Sequence, residues 1–145
     1  MKTVKDLLKN KKHDIWSISP SATVLEALKL IGEKEIGALI VKDVEEIVGV
    51  VSERDYARKV ILKGKTSMTT LVKDIMSSPA VSVKPENTVE ECMVLMTAKR
   101  IRHLPVFDKG KLVGIISIGD VVKSIISEQE KLIDQLSDYI TGKYV

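Results

Sequence analysis

The chain has 145 residues, of which 44% are hydrophobic and 30% charged, and its formal net charge is +3. This composition is ordinary for a soluble globular protein, and the net charge is too small to indicate a nucleic-acid partner, because basic and acidic residues alternate along the chain. The aromatic content of 3% predicts a core built from Ile, Val, Leu and Met.

The sequence disfavours a secreted, a membrane-spanning or a disulfide-bonded protein. The first residues contain no long apolar run, so no signal peptide is predicted, and no stretch approaches the roughly 18 apolar residues of a membrane span. The single cysteine, Cys92, cannot form an internal disulfide, and we interpret it as a small buried hydrophobe within a helix. We therefore expect a cytoplasmic protein without membrane insertion.

The chain contains an internal repeat. The segment Gly49–Asp55 recurs as Gly114–Asp120, an offset of 65 positions (114 − 49), and the same offset aligns Ser17–Asp55 with the second copy without a gap. Fifteen identities in this register, against roughly one in fifteen positions expected by chance, indicate a duplication.

Each copy predicts the order strand, helix, hairpin, helix. A short strand ends at Pro20 or Pro85, because proline cannot extend a ladder. Thr23, with Glu26 three residues later, forms a capping box that begins a helix, and the second copy repeats this pattern. Two short apolar runs joined by a polar turn then predict a hairpin, and a second helix opens after the serine that follows it.

This βαββα unit has one apolar sheet face and is too small to close a core alone. We predict an α+β fold in which two tandem copies pack sheet to sheet about a pseudo-twofold axis, with clefts at the seam. The predicted domains are residues 1–70 for the first repeat with its linker, 71–127 for the second repeat, and 128–145 for a helical extension.

Two segments lie outside the core of the repeat. Val4–Leu8 resembles Leu71–Met76, so we expect each repeat to begin with a short helix, near Thr3 and near Leu71. From Val121 onward, apolar residues follow helical spacing for several turns beyond the repeat. Such a stripe needs a cover, which a homodimer partner would provide; the alternative is that it packs back on the chain itself.

The motif Ser-x-x-Asp occurs in both copies, as Ser52 with Asp55 and as Ser117 with Asp120. One interpretation is helix capping alone, with Ser at the N-cap and Asp at the third helical position. In the other, a helix N-terminus and the Ser hydroxyl bind a phosphate while the carboxylate accepts the hydroxyls of a ribose. Together these groups predict a nucleotide site.

With Gly-apolar-x-Ser-x-x-Asp present twice, and Leu-Pro-Val before the second motif, the sequence resembles a tandem pair of CBS domains, named for cystathionine β-synthase. The resemblance extends from about Val4 to about Ser127 and is closest to stand-alone prokaryotic CBS proteins. It implies a regulator that is an adenosyl ligand: AMP, ADP, ATP, NAD(H) or S-adenosylmethionine. It also implies that each cleft combines parts of both copies. The residues implied for the first cleft are Ser52, Arg54, Asp55, Val81, Ile101, Arg102 and His103.

The residues that the resemblance implies for the second cleft are Ser117, Asp120, Ile36, Gly37, Ala38 and Trp16. This cleft has Gly37-Ala38 where the other has Arg102-His103, so two different ligands, or one empty site, are expected. An exposed basic pair at a helix end is the alternative interpretation of Arg102 and His103. We interpret Trp16 as a residue of the core or of a cleft rim rather than as a platform on which a base stacks. The carboxylates disfavour NADP, whose 2′-phosphate would meet like charge.

The sequence offers no catalytic apparatus. It contains no phosphate-binding loop of the Gly-x-x-x-x-Gly-Lys-Ser/Thr type, and its two histidines, His13 and His103, do not suggest a zinc site. Our principal hypothesis is a non-catalytic adenine-nucleotide sensor that signals its ligand state to an unknown protein partner, without direct nucleic-acid binding. The alternatives are a structural or dimerisation module with empty clefts, and an enzyme that acts on adenylates.

Overall fold

The computed structural model describes residues 2–11 and 14–142. They form two compact units: the first-repeat unit, Asp14–Ser82, and the second-repeat unit, which joins residues 2–11 to the chain from Val83 onward. The helices are α1 (Val4–Lys9), α2 (Val24–Lys34), α3 (Glu53–Lys59), α4 (Val89–Lys99) and α5 (Ile118–Ile140). The strands are β1 (Ser17–Ile18), β2 (Ala38–Asp43), β3 (Glu46–Ser52), β4 (His103–Asp108) and β5 (Lys111–Ser117).

The first-repeat unit has the three-stranded sheet and the succession of elements that the sequence predicts. Strand β1 pairs in parallel with β2, which pairs antiparallel with β3, and α2 and α3 complete the βαββα pattern. Helix α2 begins at Val24 with Thr23 as its N-cap, and the Thr23 side chain accepts a hydrogen bond from the Glu26 N–H at 3.2 Å. This is one half of the predicted capping box, whereas α4 forms both halves with Thr88 and Glu91. Its core consists of the buried side chains Val24, Ala27, Ile31, Leu39, Val41, Val51, Val60, Val72 and Ile75.

The second-repeat unit has a two-stranded sheet, β4 with β5, where the sequence predicts three strands. The expected first strand is reduced to one parallel bridge between Val83 and Val106. In the first repeat, the Ile40 N–H extends the matching ladder by donating to the Trp16 carbonyl at 3.2 Å. Pro105 occupies the position of Ile40 and has no N–H to donate, which explains the shorter pairing.

The leading segments are exchanged between the repeats. The Val72 N–H donates to the Ala22 carbonyl at 2.9 Å, so the 3-10 turn before the second repeat packs within the first-repeat unit. The equivalent Val4 N–H donates to the Asn87 carbonyl at 2.8 Å, so α1 packs within the second-repeat unit. The domain bounds 1–70, 71–127 and 128–145 follow the order of the sequence and stay a prediction. The compact units group the chain by these contacts instead.

Two glycines at equivalent positions admit these leading segments. A Cβ atom at Gly49 would lie 2.5 Å from the Ser77 carbonyl oxygen, and one at Gly114 would lie 2.7 Å from Leu8 Cδ2. Backbone therefore approaches the first hairpin, whereas a side-chain end approaches the second. Packing therefore requires glycine at position 49, whereas at position 114 the neighbouring Leu8 side chain can move; neither glycine has an unusual backbone angle.

Helix α5 continues several turns past the body of the second-repeat unit, as the sequence predicts. Val121 and Ser124 are buried near its start, whereas most of its later side chains are exposed. None of the helices in the described part of the chain has the length and apolar character that a membrane crossing needs. The extension predicted for 128–145 is described as far as residue 142.

Candidate functional site

The first motif lies where β3 ends and α3 begins. The Ser52 N–H donates to Asp55 Oδ2 at 2.9 Å, and the Asp55 N–H donates to Ser52 Oγ at 3.2 Å. The second motif repeats this geometry at the start of α5, where the Ser117 N–H lies 2.8 Å from Asp120 Oδ2 and the Asp120 N–H 3.2 Å from Ser117 Oγ. Both motifs are thus capping boxes, which confirms the structural interpretation.

Capping limits what the two helix starts can offer a ligand. The N–H group at the first helical position is also engaged, since Glu53 donates to the Gly37 carbonyl at 3.2 Å and Ile118 donates to the Arg102 carbonyl at 2.8 Å. Two of the first three N–H groups of each helix are therefore satisfied within the protein. Each helix start therefore offers a phosphate fewer N–H donors than the sequence predicts.

An ammonium group lies against the carboxylate of each motif. Lys59 Nζ is 3.3 Å from Asp55 Oδ1 and donates to the Ile75 carbonyl at 2.8 Å. Lys11 Nζ is 2.6 Å from Asp120 Oδ2 and donates to the Ile115 carbonyl at 2.8 Å. The two lysines come from different places in the chain, because Lys59 follows its motif on α3 whereas Lys11 follows α1.

Sequence reasoning missed Lys11. At the repeat offset of 65, the residue that matches Lys59 is Ser124, whose buried hydroxyl has no hydrogen-bond partner within the described structure. The replacement of lysine by serine at this position shows that the second motif lacks the local ammonium. Nothing in the sequence indicates that a residue 109 positions away supplies it instead.

The Asp120 carboxylate is held in its ionised form. Burial disfavours the charge, but the hydrogen bonds from Lys11 and from the Ser117 N–H outweigh this effect, so the pKa of Asp120 is lowered from its ordinary value of 3.8. An ionised carboxylate accepts hydrogen bonds and donates none. It is therefore suited to hold a ligand by its hydroxyl groups.

Several residues predicted for the second cleft lie beside the first motif in the first-repeat unit. Ala38 pairs with Ser52 across the ladder, and Gly37 contacts the start of α3 through its carbonyl. Ile36 packs against the core of the same unit. The structure thus brings this strand entry together with Ser52 and Asp55. The assignment of these residues to the second cleft stays a prediction from the family resemblance.

In the second-repeat unit, Arg102 and His103 likewise lie beside the motif of their own unit. His103 pairs with Ser117 across the ladder, and the Arg102 carbonyl accepts from the first N–H of α5. The Arg102 side chain is exposed and His103 is half-buried. That this pair serves the first motif, together with Val81 and Ile101, stays a prediction from the family resemblance.

Trp16 occupies a partly exposed position. Its side chain is 36% exposed, and Lys34 Nζ lies 4.2 Å from the centre of its ring, a cation–π contact. This exposure places Trp16 outside the buried core, and its role at a cleft stays a prediction. Arg54, at the second position of α3, is half-buried.

The described residues were also compared with the requirements of a metal site and of a reactive thiol. In residues 2–11 and 14–142, no three His, Cys, Asp or Glu side chains form a group that can hold a metal ion. His13 lies outside the described residues. Cys92 is fully buried, and burial raises the pKa of its thiol to about 11, so the thiol is unreactive and its interpretation as a small hydrophobe fits.

Both repeats are similar to known proteins. A family model of the CBS domain matches residues 3–62 and 72–127. The chain is 49% identical to a solved protein with CBS domains from Burkholderia ambifaria MC40-6, covering 88% of this chain and 96% of that one, with a TM-score of 0.84. It is 36% identical to the mitochondrial CBS domain-containing protein CBSX3 of Arabidopsis thaliana, covering 98% of this chain and 73% of that protein.

A more distant solved structure shares the fold. The CBS domain pair of protein MJ0100, solved in complex with 5′-methylthioadenosine and S-adenosyl-L-methionine, is 20% identical to this chain. The similarity covers 88% of this chain and 98% of that one, with a TM-score of 0.75. The α+β fold with two sheets and a C-terminal helix is thus shared with proteins of this group.

Proposed function

We propose that this chain, which belongs to the CBS domain family, is a regulatory module that binds an adenosyl ligand without transforming it. The observation that carries the proposal is the pair of Ser-x-x-Asp motifs. Each is held by hydrogen bonds of the same kind at a strand-to-helix junction. The complex of the MJ0100 domain pair with 5′-methylthioadenosine and S-adenosyl-L-methionine supports adenosyl compounds as the ligand class.

In this proposal the motif carboxylate accepts the hydroxyl groups of a ribose. Asp120 uses Oδ2 for its cap and for Lys11, which leaves Oδ1 for a ligand. Asp55 uses Oδ2 for its cap, and its Oδ1 faces the Lys59 ammonium at 3.3 Å. A hydroxyl that competes with such a partly exposed ion pair loses little, since surface pairs contribute only about 0–1 kcal/mol.

The two motifs are expected to differ in their ligands. The first carries Arg54 at the second helical position, where a guanidinium suits phosphate groups. The second carries Gly119, where a Cβ atom would meet only Ser117 Oγ, at 3.5 Å. Packing therefore does not require glycine there, and the absence of a charged side chain distinguishes the sites. We propose that the first motif prefers phosphorylated ligands such as AMP or ATP.

Regulation requires that ligand binding favours one conformation over another, which a protein partner then recognises. A cytoplasmic location, and the roles of Val81, Ile101, Arg102 and His103 at the first motif, remain predictions.

Calorimetric titration with AMP, ATP, NADH and S-adenosylmethionine tests the proposal. We expect at least one ligand to bind with micromolar affinity, and we expect Asp55→Asn or Asp120→Asn to weaken that binding about 10- to 100-fold. Loss of a charged acceptor removes roughly 1.5–3 kcal/mol. Glu91→Gln is the matched control, because Glu91 is also the third-position carboxylate of a capping box, in α4, and has no proposed ligand.

Two outcomes would contradict this function. If folded, nucleotide-free protein releases no heat with any of the four ligands, the chain is a structural module, an alternative that the exposed apolar face of α5 favours. If ATP or NADH is consumed in the presence of a divalent metal, the chain is an enzyme.

A further inference from the structure

Lys11 changes how the second motif holds its carboxylate. In the first motif, Asp55 Oδ2 accepts hydrogen bonds from the Ser52 N–H at 2.9 Å and from the Ser52 hydroxyl at 3.1 Å. In the second motif, Asp120 Oδ2 accepts from the Ser117 N–H at 2.8 Å and from the Lys11 ammonium at 2.6 Å. The ammonium therefore takes the place that the serine hydroxyl has in the first motif.

The position of the Lys11 ammonium is compatible with a ligand on the same carboxylate. Its hydrogen bond to the Ile115 carbonyl, at 2.8 Å, anchors it independently of Asp120. Because it contacts Oδ2 of Asp120, it leaves Oδ1 to a ribose hydroxyl. At the first motif, Lys59 lies 3.3 Å from Oδ1 of Asp55, so a hydroxyl on that atom must compete with the ammonium. At the second motif, the ammonium and a ligand can hold the carboxylate at the same time.

The Lys11–Asp120 pair is accessible to a ligand. The two side chains are 32% and 30% exposed, whereas the Asp55 side chain is 15% exposed. A lysine ammonium has three N–H donors, and the contacts with Asp120 and the Ile115 carbonyl use two of them. Because the pair is partly buried, its charges are screened less than those of a fully exposed pair. The ammonium can therefore influence a ligand that Asp120 binds.

The second motif has no cationic side chain of its own. Gly119 occupies the position of Arg54, and Ser124 occupies the position of Lys59. Lys11 reaches the motif because the preceding helix, α1, packs within the second-repeat unit. The exchanged leading segment is thus part of the second site and supplies its positive charge.

Adenosyl ligands differ in the charge that they carry at the 5′ carbon of the ribose. S-adenosylmethionine has a sulfonium cation there, 5′-methylthioadenosine a neutral sulfur, and AMP a phosphate anion. An unpaired Asp120 carboxylate would attract the sulfonium and repel the phosphate. With Lys11 in place, the pair has no net charge, and both effects are cancelled.

We propose that Lys11 is a specificity-determining residue of the second motif, which favours adenosyl ligands with a neutral or anionic 5′ group over those with a sulfonium. The inference rests on the proposed function, because it requires that Asp120 binds a ribose. It also narrows that function. The ligand class of the second motif is a 5′-thioether nucleoside or an adenine nucleotide rather than S-adenosylmethionine.

Two pairs of ligands measure this preference by calorimetry. S-adenosylhomocysteine and S-adenosylmethionine differ by one methyl group and one positive charge, and adenosine and AMP differ by a phosphate. The parent is the Asp55→Asn chain, in which binding reports mainly on the second motif. Lys11→Met in this parent should shift the affinity ratio of each pair about 10-fold, toward the sulfonium in the first pair and away from AMP in the second.

Two further variants separate charge from structural damage. Lys9→Met removes the same charge from the same segment, at an exposed position of α1, and should leave both ratios unchanged. Lys11→Arg keeps the charge and should keep both ratios. Arg102 and His103, which lie at the same junction, are present in every variant. A loss of packing alone would weaken all four ligands equally, whereas the loss of a charge moves the two ratios in opposite directions.

Three results would overturn this proposal and leave the proposed function intact. They are unchanged ratios in Lys11→Met, equal shifts in Lys9→Met, and a wild type that binds adenosyl ligands while the Asp55→Asn chain binds none. If the wild type binds none of the four ligands, the proposed function fails, and this inference fails with it.

Discussion

Gly49→Ala is expected to lower the free energy of unfolding by about 3 kcal/mol, near the upper end of what overpacking costs. The new Cβ atom would lie 2.5 Å from the Ser77 carbonyl oxygen and 3.0 Å from Met76 Sδ. The backbone of Ser77 must move away, which breaks its two hydrogen bonds with Val50, at 2.8 Å and 3.1 Å. Each such bond contributes about 0.5–1.5 kcal/mol.

Gly114→Ala is the matched variant at the equivalent position of the second repeat. Its Cβ atom would meet the end of the Leu8 side chain, which can rotate away, so we expect a loss of only about 1 kcal/mol. Urea unfolding of both variants measures the difference. Equal losses, or a larger loss for Gly114→Ala, would contradict the packing described for the two hairpins.

Val4→Asp is expected to cost at least about 3 kcal/mol, because it buries a charge without a partner. Val4 is fully buried in α1, although it is the fourth residue of the sequence. Its N–H donates to the Asn87 carbonyl, so the damage should appear in the second-repeat unit and not in the repeat that follows α1 in the sequence.

Amide hydrogen exchange read by mass spectrometry locates the effect of Val4→Asp. Peptides from β4 and β5 should lose protection more than peptides from β2 and β3. Val72→Asp, at the equivalent buried position of the first-repeat unit, is the control and should give the reverse pattern. Loss of protection confined to β2 and β3 in Val4→Asp would disprove the exchange of leading segments.

Local pattern was sufficient to predict most secondary structure. Thr23, Thr88, Ser52 and Ser117 all begin helices as predicted, because capping depends on residues within one turn of each other. The repeat offset also placed the hairpins correctly. The short pairing of Val83 could have been foreseen, since Pro105 visibly lacks the N–H that extends the ladder of the first repeat.

Contacts between distant segments could not be read from the sequence. The echo of Val4–Leu8 in Leu71–Met76 identified the leading segments, but two similar segments can each pack with either copy. The same ambiguity hid Lys11, whose ammonium contacts Asp120 only because α1 packs in the second-repeat unit. The motifs themselves were predicted, whereas the partner of the Asp120 carboxylate depended on that exchange.

The most direct test of the central claim, that a motif carboxylate binds ribose hydroxyls, compares AMP or ATP with its 2′-deoxy analogue. Affinities are measured for the wild type and for Asp55→Asn and Asp120→Asn. If the carboxylate accepts the 2′-hydroxyl, removing either group should weaken binding about 10-fold or more, and removing both should cost little more than removing one. Equal affinity for the two ligands, or fully additive losses, would contradict the claim.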